Sequence, residues 1–228
     1  MGPDHRGRAG GRLRVSVTGV GLLEGLATTR AIRRFRPDPV CDDDLAAILF
    51  AATRAPSGTN RQPFRFLVLR DGPMAAEAKG ALGEAFRAAA TDKVAVEGYR
   101  GAPGEDSPTA RFTRSLARFV ERFEDIPVVV LACLVRHRAP DPYEGASIYP
   151  ACQNLLLAAR ARGLGGVMTN WHLGAEHRLR HILAIPDGVA LSACIPLGHP
   201  EGRHGPVRRK PLRDLVYEDR WEGEAPWA

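Results

Sequence analysis

The sequence contains no apolar run approaching the ~20 residues that a helical bilayer span needs, so such a span is excluded. It is also nearly devoid of lysine: of 32 basic residues only Lys79, Lys93 and Lys210 are not arginine. A planar guanidinium suits bidentate capture of phosphate or carboxylate, although a chain rich in Ala, Gly and Arg also follows from codon bias in a GC-rich genome. A nucleic-acid surface calls for basic residues interleaved with aromatics on one face. Here the acidic stretches "CDDD" (41–44) and "EDRWEGE" (218–224) interrupt the positive charge, which nets +6. No nucleic-acid partner and no membrane are expected. No pair of the four cysteines forms C-x-x-C, and three lie within apolar segments. That usage predicts buried, reduced thiols in a cytoplasmic protein.

Other absences remove whole chemistries. No G-x-G-x-x-G opens a helix, so the Rossmann fingerprint is missing. "GASIY" around Ser147 does not fit the G-x-S-x-G of a serine hydrolase. His177 and His181 stand at i, i+4, but no Glu follows His177 and no third ligand lies near, so solvent-facing histidines are expected rather than zinc. The first twenty residues lack the apolar core of a secretory signal and read as a loosely ordered extension.

What remains is a chain of 228 residues, 44% hydrophobic and 25% charged, sized for one globular domain over 21–228. In "DDDLAAILFAATRAP", Leu45, Ile48, Leu49 and Ala52 recur at i, i+3, i+4 and i+7 behind an acidic first turn, predicting a helix that stops before Pro56. "FRFLVLRDG" predicts a strand ended by Asp-Gly. A helix follows near 73–90, then a weakly patterned zone over 91–110 read as a surface excursion or lid. "RFTRSLARFVERF" reads as a helix, and the β-branched run "IPVVVLACLV" as a strand buried on both faces. "ASIYPACQNLLLAARARG" predicts a long helix closed by Gly163. "LGGVMTN" and "VALSACIPLGHP" read as strands, with a short helix in "EHRLRHILAIPDG" between them. Without a βαβ rhythm, the pattern implies an α+β fold of three layers, helices around a central sheet.

Four segments carry candidate chemistry. "TTRAIRRFRPDPV" (28–40) crowds four arginines before a Pro-Asp-Pro turn; Arg30 and Arg33 are read as sharing a helical face, able to meet one phosphate or to form a solvated basic turn. In "PSGTN" (56–60), Gly58 is expected to permit the turn while Ser57, Thr59 and Asn60 offer donors and acceptors to a planar heterocycle, though these are also ordinary turn residues. "GLGGVMTNWH" (163–172) would let backbone N–H groups approach a ligand. "GPVRRKPLRDL" (205–215) is a second basic cluster, either converging on the same phosphate or forming an independent patch.

In this order, the four segments resemble the FMN-dependent nitroreductase family from about Thr28 to Leu215. The resemblance implies a mostly antiparallel sheet flanked by helices, in an intertwined homodimer whose tails embrace the partner. Trp221 and Trp227 would be buried in that way. It also implies FMN, with NADH or NADPH as co-substrate and a nitroaromatic, quinone or similar small acceptor taking turns on the flavin in a ping-pong cycle. No catalytic side chain and no metal are then required. Carried onto this chain, the resemblance gives Arg30 and Arg33 to the FMN phosphate and polar ring edge, with the backbone of Thr29 and Ala31 nearby. Pro56, Ser57 and Asn60 would hold the isoalloxazine or ribityl chain, partly from the neighbouring subunit. Thr169, Asn170 and Trp171 fall near the ring, and Arg209 returns to the phosphate. Where the family often has Arg and Ser, this chain has Thr29 and Ala31, which shifts the phosphate grip toward Arg30 and Arg209. Related dehalogenases grip a zwitterion with a Glu, a Tyr and a Lys; Lys93, Glu97 and Tyr99 are the nearest counterparts. A flavin-fragmenting enzyme, a protein that stores FMN without turnover, and a chance coincidence of motifs are the remaining alternatives.

Overall fold

A computed structural model describes residues 19–97 and 105–228. All of the expected N-terminal extension except Gly19 and Val20 lies outside the described residues, as does Tyr99. After α1 (Leu22–Thr28), the acidic triplet Asp42, Asp43 and Asp44 opens α2 (Asp42–Ala52), where it complements the helix dipole. Strand β1 (Phe64–Leu69) follows, then α3 (Pro73–Glu97), entered through Gly72 at φ +100. Helix α4 (Pro108–Glu121) is capped by Ser107, whose hydroxyl accepts from the Ala110 amide at 3.1 Å, with proline in the first turn. Next come β2 (Val128–Val135), α5 (Tyr149–Ala161), β3 (Gly165–Gly166), α6 (Glu176–Ile182) and β4 (Val189–Gly198). The zone read as an excursion is helical at both ends, because alanine-rich sequence carries α3 through residue 97 and α4 begins at residue 108.

The strands form one antiparallel sheet in the order β1-β2-β4-β3. Strand β2 is buried on both faces, as its composition predicts. Val128, Val130, Ala132 and Leu134 pack with α2 and α5, while Val129, Leu131 and Cys133 face α3, α4 and the aromatic group Phe86, Phe119 and Phe123. A bulge where Cys133 pairs with Leu191 and Ala132 with Ala193 leaves Ser192 unopposed and shifts the alternation of β4 by one residue, so that Ala190 before it and Ala193, Ile195 and Leu197 after it face the same core. The result is the expected three-layer α+β architecture. The strand predicted over "LGGVMTN" is only two residues long, with a single further bridge at Thr169 and Cys194.

Cys133, Cys152 and Cys194 are buried and Cys41 is exposed, all as free thiols. Burial pushes the Cys133 thiol up to about 11 and Cys152 up to about 12, so neither is a reactive thiolate. Among the described residues no helix is long and apolar enough to cross a membrane, and no group of His, Cys, Asp or Glu could hold a metal ion.

Candidate functional site

Helix α1 stops at Thr28, whose hydroxyl donates back to the Glu24 carbonyl at 2.7 Å, and Thr29 is already extended at φ −70, ψ 116. Arg30 and Arg33 therefore share no helical face, contrary to the sequence expectation. Their segment runs extended along β3 and the exit of β4 instead. Ile32 N–H donates to the Gly166 carbonyl at 2.9 Å, Arg36 N–H to His199 at 2.8 Å, and Phe35 bridges Pro200. The glycines of β3 make this possible. A Cβ on Gly165 would meet Ile32 Cγ1 at 2.5 Å, and one on Gly166 would meet the Pro196 carbonyl oxygen at 2.6 Å. The tail then returns: Gly205 and Val207 donate to the carbonyls of Thr28 and Ala27 at 3.3 and 3.1 Å, and His204 Nε2 lies 3.0 Å from the Leu164 carbonyl.

These connections wall an open cleft of about 1070 Å³. Arg30, Ala31, Arg33 and Arg34 line it from the first basic segment, Arg203, Arg208 and Arg209 from the tail, and Arg111, Arg114 and Arg118 from α4. Among the described residues no acidic one lines it. Asp106 pairs with Arg111 and Arg114, and Glu201 with Arg118 at 2.8 Å. Among the described residues Arg30, Arg33, Arg34, Arg203, Arg208 and Arg209 have no carboxylate partner. Burial, followed by repulsion from Arg30, holds Arg33 below the usual guanidinium value; its head lies over the Phe112 ring, 5.5 Å from the centroid. His204 is likewise lowered, first by burial and then by the charges of Arg160 and Arg30. The positive potential of such a cleft would attract an anion.

Arg33 and Phe112 also line a smaller adjoining pocket of about 170 Å³, with Lys93, Met168, Thr169 and Trp171. Thr169 is fixed by reciprocal backbone bonds to Cys194 at 3.0 and 2.9 Å. Trp171 packs edge to face on Phe86, with centroids 5.6 Å apart, so one side of the indole is anchored in the core.

The sequence pattern of the nitroreductase family matches residues 26–199. A protein of Thermus thermophilus named NADH dehydrogenase is 35% identical over 193 residues, covering 82% of this chain and 90% of that protein. The chain belongs to the nitroreductase family. An iodotyrosine deiodinase of Thermotoga neapolitana is 29% identical over 197 residues, covering 86% of this chain and 96% of its own. A solved structure from Desulfovibrio desulfuricans, described as a nitroreductase in complex with FMN, superposes with a TM-score of 0.64 at 27% identity, covering 90% of this chain and 99% of that one.

Within this nitroreductase-family chain, then, Arg30, Ala31, Arg33 and Arg209 meet around one cleft, and Thr169 and Trp171 adjoin it through Arg33. Asn170 is exposed between those two, its carbonyl accepting from Leu173 N–H at 3.1 Å. Thr29, next to Arg30 in sequence, does not line the cleft; its buried hydroxyl has no hydrogen-bond partner among the described residues. Pro56, Ser57 and Asn60 lie elsewhere, in the loop leading to β1, at the opposite edge of the sheet from β3. No residue of 55–62 lines either pocket. Gly58 does not make that loop's turn; Thr59, Asn60 and Gln62 do, at φ 49, 52 and 51. Ser57 Oγ accepts from the Gln62 amide at 2.9 Å, and Gly58 N–H donates to Ser147 Oγ at 3.2 Å. Sequence reasoning missed Arg34, Arg203 and the α4 arginines. The α4 set was detectable, since Arg111, Arg114 and Arg118 recur at i, i+3 and i+7 opposite Leu116, Phe119 and Val120.

Proposed function

We propose that the chain is an FMN-dependent oxidoreductase that works as a homodimer, passing reducing equivalents from a nicotinamide dinucleotide to a small acceptor such as a quinone or nitroaromatic. The observation that carries this reading is the convergence of Arg30 and Arg209, from the two basic segments far apart in sequence, on a cleft lined by arginines and, among the described residues, by no carboxylate. The FMN named with the D. desulfuricans structure and the NADH named for the T. thermophilus relative support the same chemistry.

The residues fit a flavin mononucleotide. Arg30, Arg208 and Arg209, none of them paired with a carboxylate among the described residues, would offer guanidinium forks to its phosphate, Arg209 while also donating to the Arg208 carbonyl at 2.9 Å, and the Thr29 hydroxyl lies in the same segment. Arg33, half-buried and joining the large cleft to the smaller pocket, would place positive charge beside the ring's polar edge, where it favours the anionic reduced flavin. Bound FMN would supply two-electron chemistry between dinucleotide and acceptor, so the chain's residues need only bind, orient and set charge. Thr169 and the anchored Trp171 would bound the space for an acceptor. Pro56, Ser57 and Asn60 would reach the flavin of the partner subunit, since their own lies across the sheet. The exposed Trp221 and Trp227 would be covered by that partner.

A second reading is favoured by Lys93, which lines the smaller pocket beside Arg33 and would suit a substrate bearing a carboxylate, as a reductive dehalogenase requires. Glu97's side chain and Tyr99 lie outside the described residues.

The absorption spectrum of the purified protein tests the proposal. Flavin bands that bleach anaerobically with NADH or NADPH and recover with a quinone are expected. A colourless protein after expression with added FMN overturns it, and a yellow protein that never bleaches makes it a storage protein. A spectral change on adding a halotyrosine would favour the dehalogenase.

A further inference from the structure

The cleft holds more positive charge than one flavin mononucleotide uses. A phosphomonoester carries about −1.5 to −2 near neutral pH and is satisfied by two or three guanidinium forks. Six arginines of the cleft have no carboxylate partner among the described residues.

The arginines also fall into two groups by attachment. Arg30, Arg208 and Arg209 stand where residues 205–207 pair with the end of α1. Arg34 and Arg203 belong to a separate junction, the exit of β4. There Glu201 N–H donates to the Arg34 carbonyl at 3.1 Å, and a Cβ on Gly202 would lie 3.6 Å from Arg34 Nη2. Glu201, the nearest carboxylate, is engaged by Arg118 at 2.8 Å, so it braces α4 against this junction and forms no ion pair with Arg34. Neither Arg34 nor Arg203 lines the adjoining pocket of about 170 Å³, whereas both line the large cleft.

Resting on the FMN reading, we propose that Arg34 and Arg203 form a second phosphate subsite that takes the 2′-phosphate of the nicotinamide dinucleotide, making NADPH the preferred reductant. Arginine suits the role, because two forks around one phosphomonoester discriminate it from the 2′-hydroxyl of NADH by charge and by shape.

The test is calorimetric titration of the FMN-loaded protein with 2′,5′-ADP and with 5′-AMP. The 2′,5′ probe should bind about tenfold tighter or better, and the Arg34→Gln/Arg203→Gln variant should lose that advantage while retaining the same flavin per subunit. Equal affinity for the two probes, or a preference that survives the double substitution, overturns the subsite. Loss of flavin from the double variant also overturns it, by placing both arginines on the cofactor. Should the double variant not fold, Arg203→Gln alone decides: a weakened preference supports the subsite and an unchanged one overturns it. A purified protein that takes up no FMN fails the parent reading instead. The same titrations on that protein still report whether Arg34 and Arg203 favour the 2′-phosphate.

Discussion

Ile32 lies so close to Gly165 that a Cβ built on the glycine would stand 2.5 Å from Ile32 Cγ1 and 3.0 Å from Ile32 Cβ. This contact sets the distance between the first basic segment and the sheet. Ile32 is also the residue whose amide bonds Gly166, and its neighbours Arg30, Ala31, Arg33 and Arg34 line the cleft. The geometry of the cleft thus depends on two residues that have no side chain.

Gly165→Ala should therefore lower stability by about 1–3 kcal/mol, because a buried methyl group can be accommodated only by moving Ile32 and its segment. FMN retention should fall with it. Gly80→Ala, inside α3 with nothing within 4 Å of the new Cβ, should instead stabilise by roughly 0.5–1 kcal/mol. Thermal unfolding of both variants checks the contrast; equal effects would contradict the role given to Gly165.

If Arg30 and Arg209 grip one phosphate, their losses should not add. Each Arg→Ala change should weaken FMN binding roughly 10- to 100-fold, and the double variant should fall short of the product of the two, since a phosphate released from one arm gains less from the other. Salt should weaken the wild type more than either variant. Fluorescence titration of apoprotein with FMN measures all three quantities.

Much of the frame was legible before any coordinates. The length and β-branched content of "VVVLACLV" point to a strand covered on both sides, and the spacing of Leu45, Ile48, Leu49 and Ala52 marks α2. The segment at Arg30 was misread as helical because crowded arginines spaced at i, i+3 look helical in isolation. In the fold, backbone bonds to Gly166 and His199 hold it extended, and these tertiary bonds leave no periodic trace. The same blindness hid the loop before β1, where three residues other than glycine adopt the left-handed region, and the tail, which is placed by the amides of Gly205 and Val207 rather than by side-chain pattern. For that reason the sequence leaves convergence of the two arginine clusters as one of two outcomes.

His172 gives the fold a pH dependence. It is buried, with Nε2 3.0 Å from the Leu191 carbonyl, and burial lowers it from its ordinary 6.5. The unfolded chain binds the proton more readily, so the full stability is present above about pH 6.5 and is lost as the pH falls from there toward the folded value, by roughly 1.4 kcal/mol for each unit of depression. His172→Gln, which keeps a donor for Leu191, should flatten this fall. Urea midpoints between about pH 7.5 and pH 5 measure it, and an equally steep loss in the variant would assign the effect elsewhere, His204 being the other lowered histidine.

The placement of Asn60 and Arg30 at opposite edges of the sheet makes the most exacting prediction. If each flavin site takes Arg30 from one subunit and Asn60 from its partner, Arg30→Ala and Asn60→Ala should each impair every site in their own homodimers. In a mixed dimer, both lesions fall together in one site, leaving the other with an intact Arg30 and an intact Asn60. Random reassociation of equal amounts makes half the dimers mixed, so about one site in four should regain wild-type FMN affinity. Were both residues to serve the same subunit's site, mixing would restore nothing, since every site would still carry one lesion. Unfolding the two variants together, refolding them with FMN and titrating tight-binding flavin distinguishes the two arrangements, with sedimentation confirming that the refolded species is a dimer.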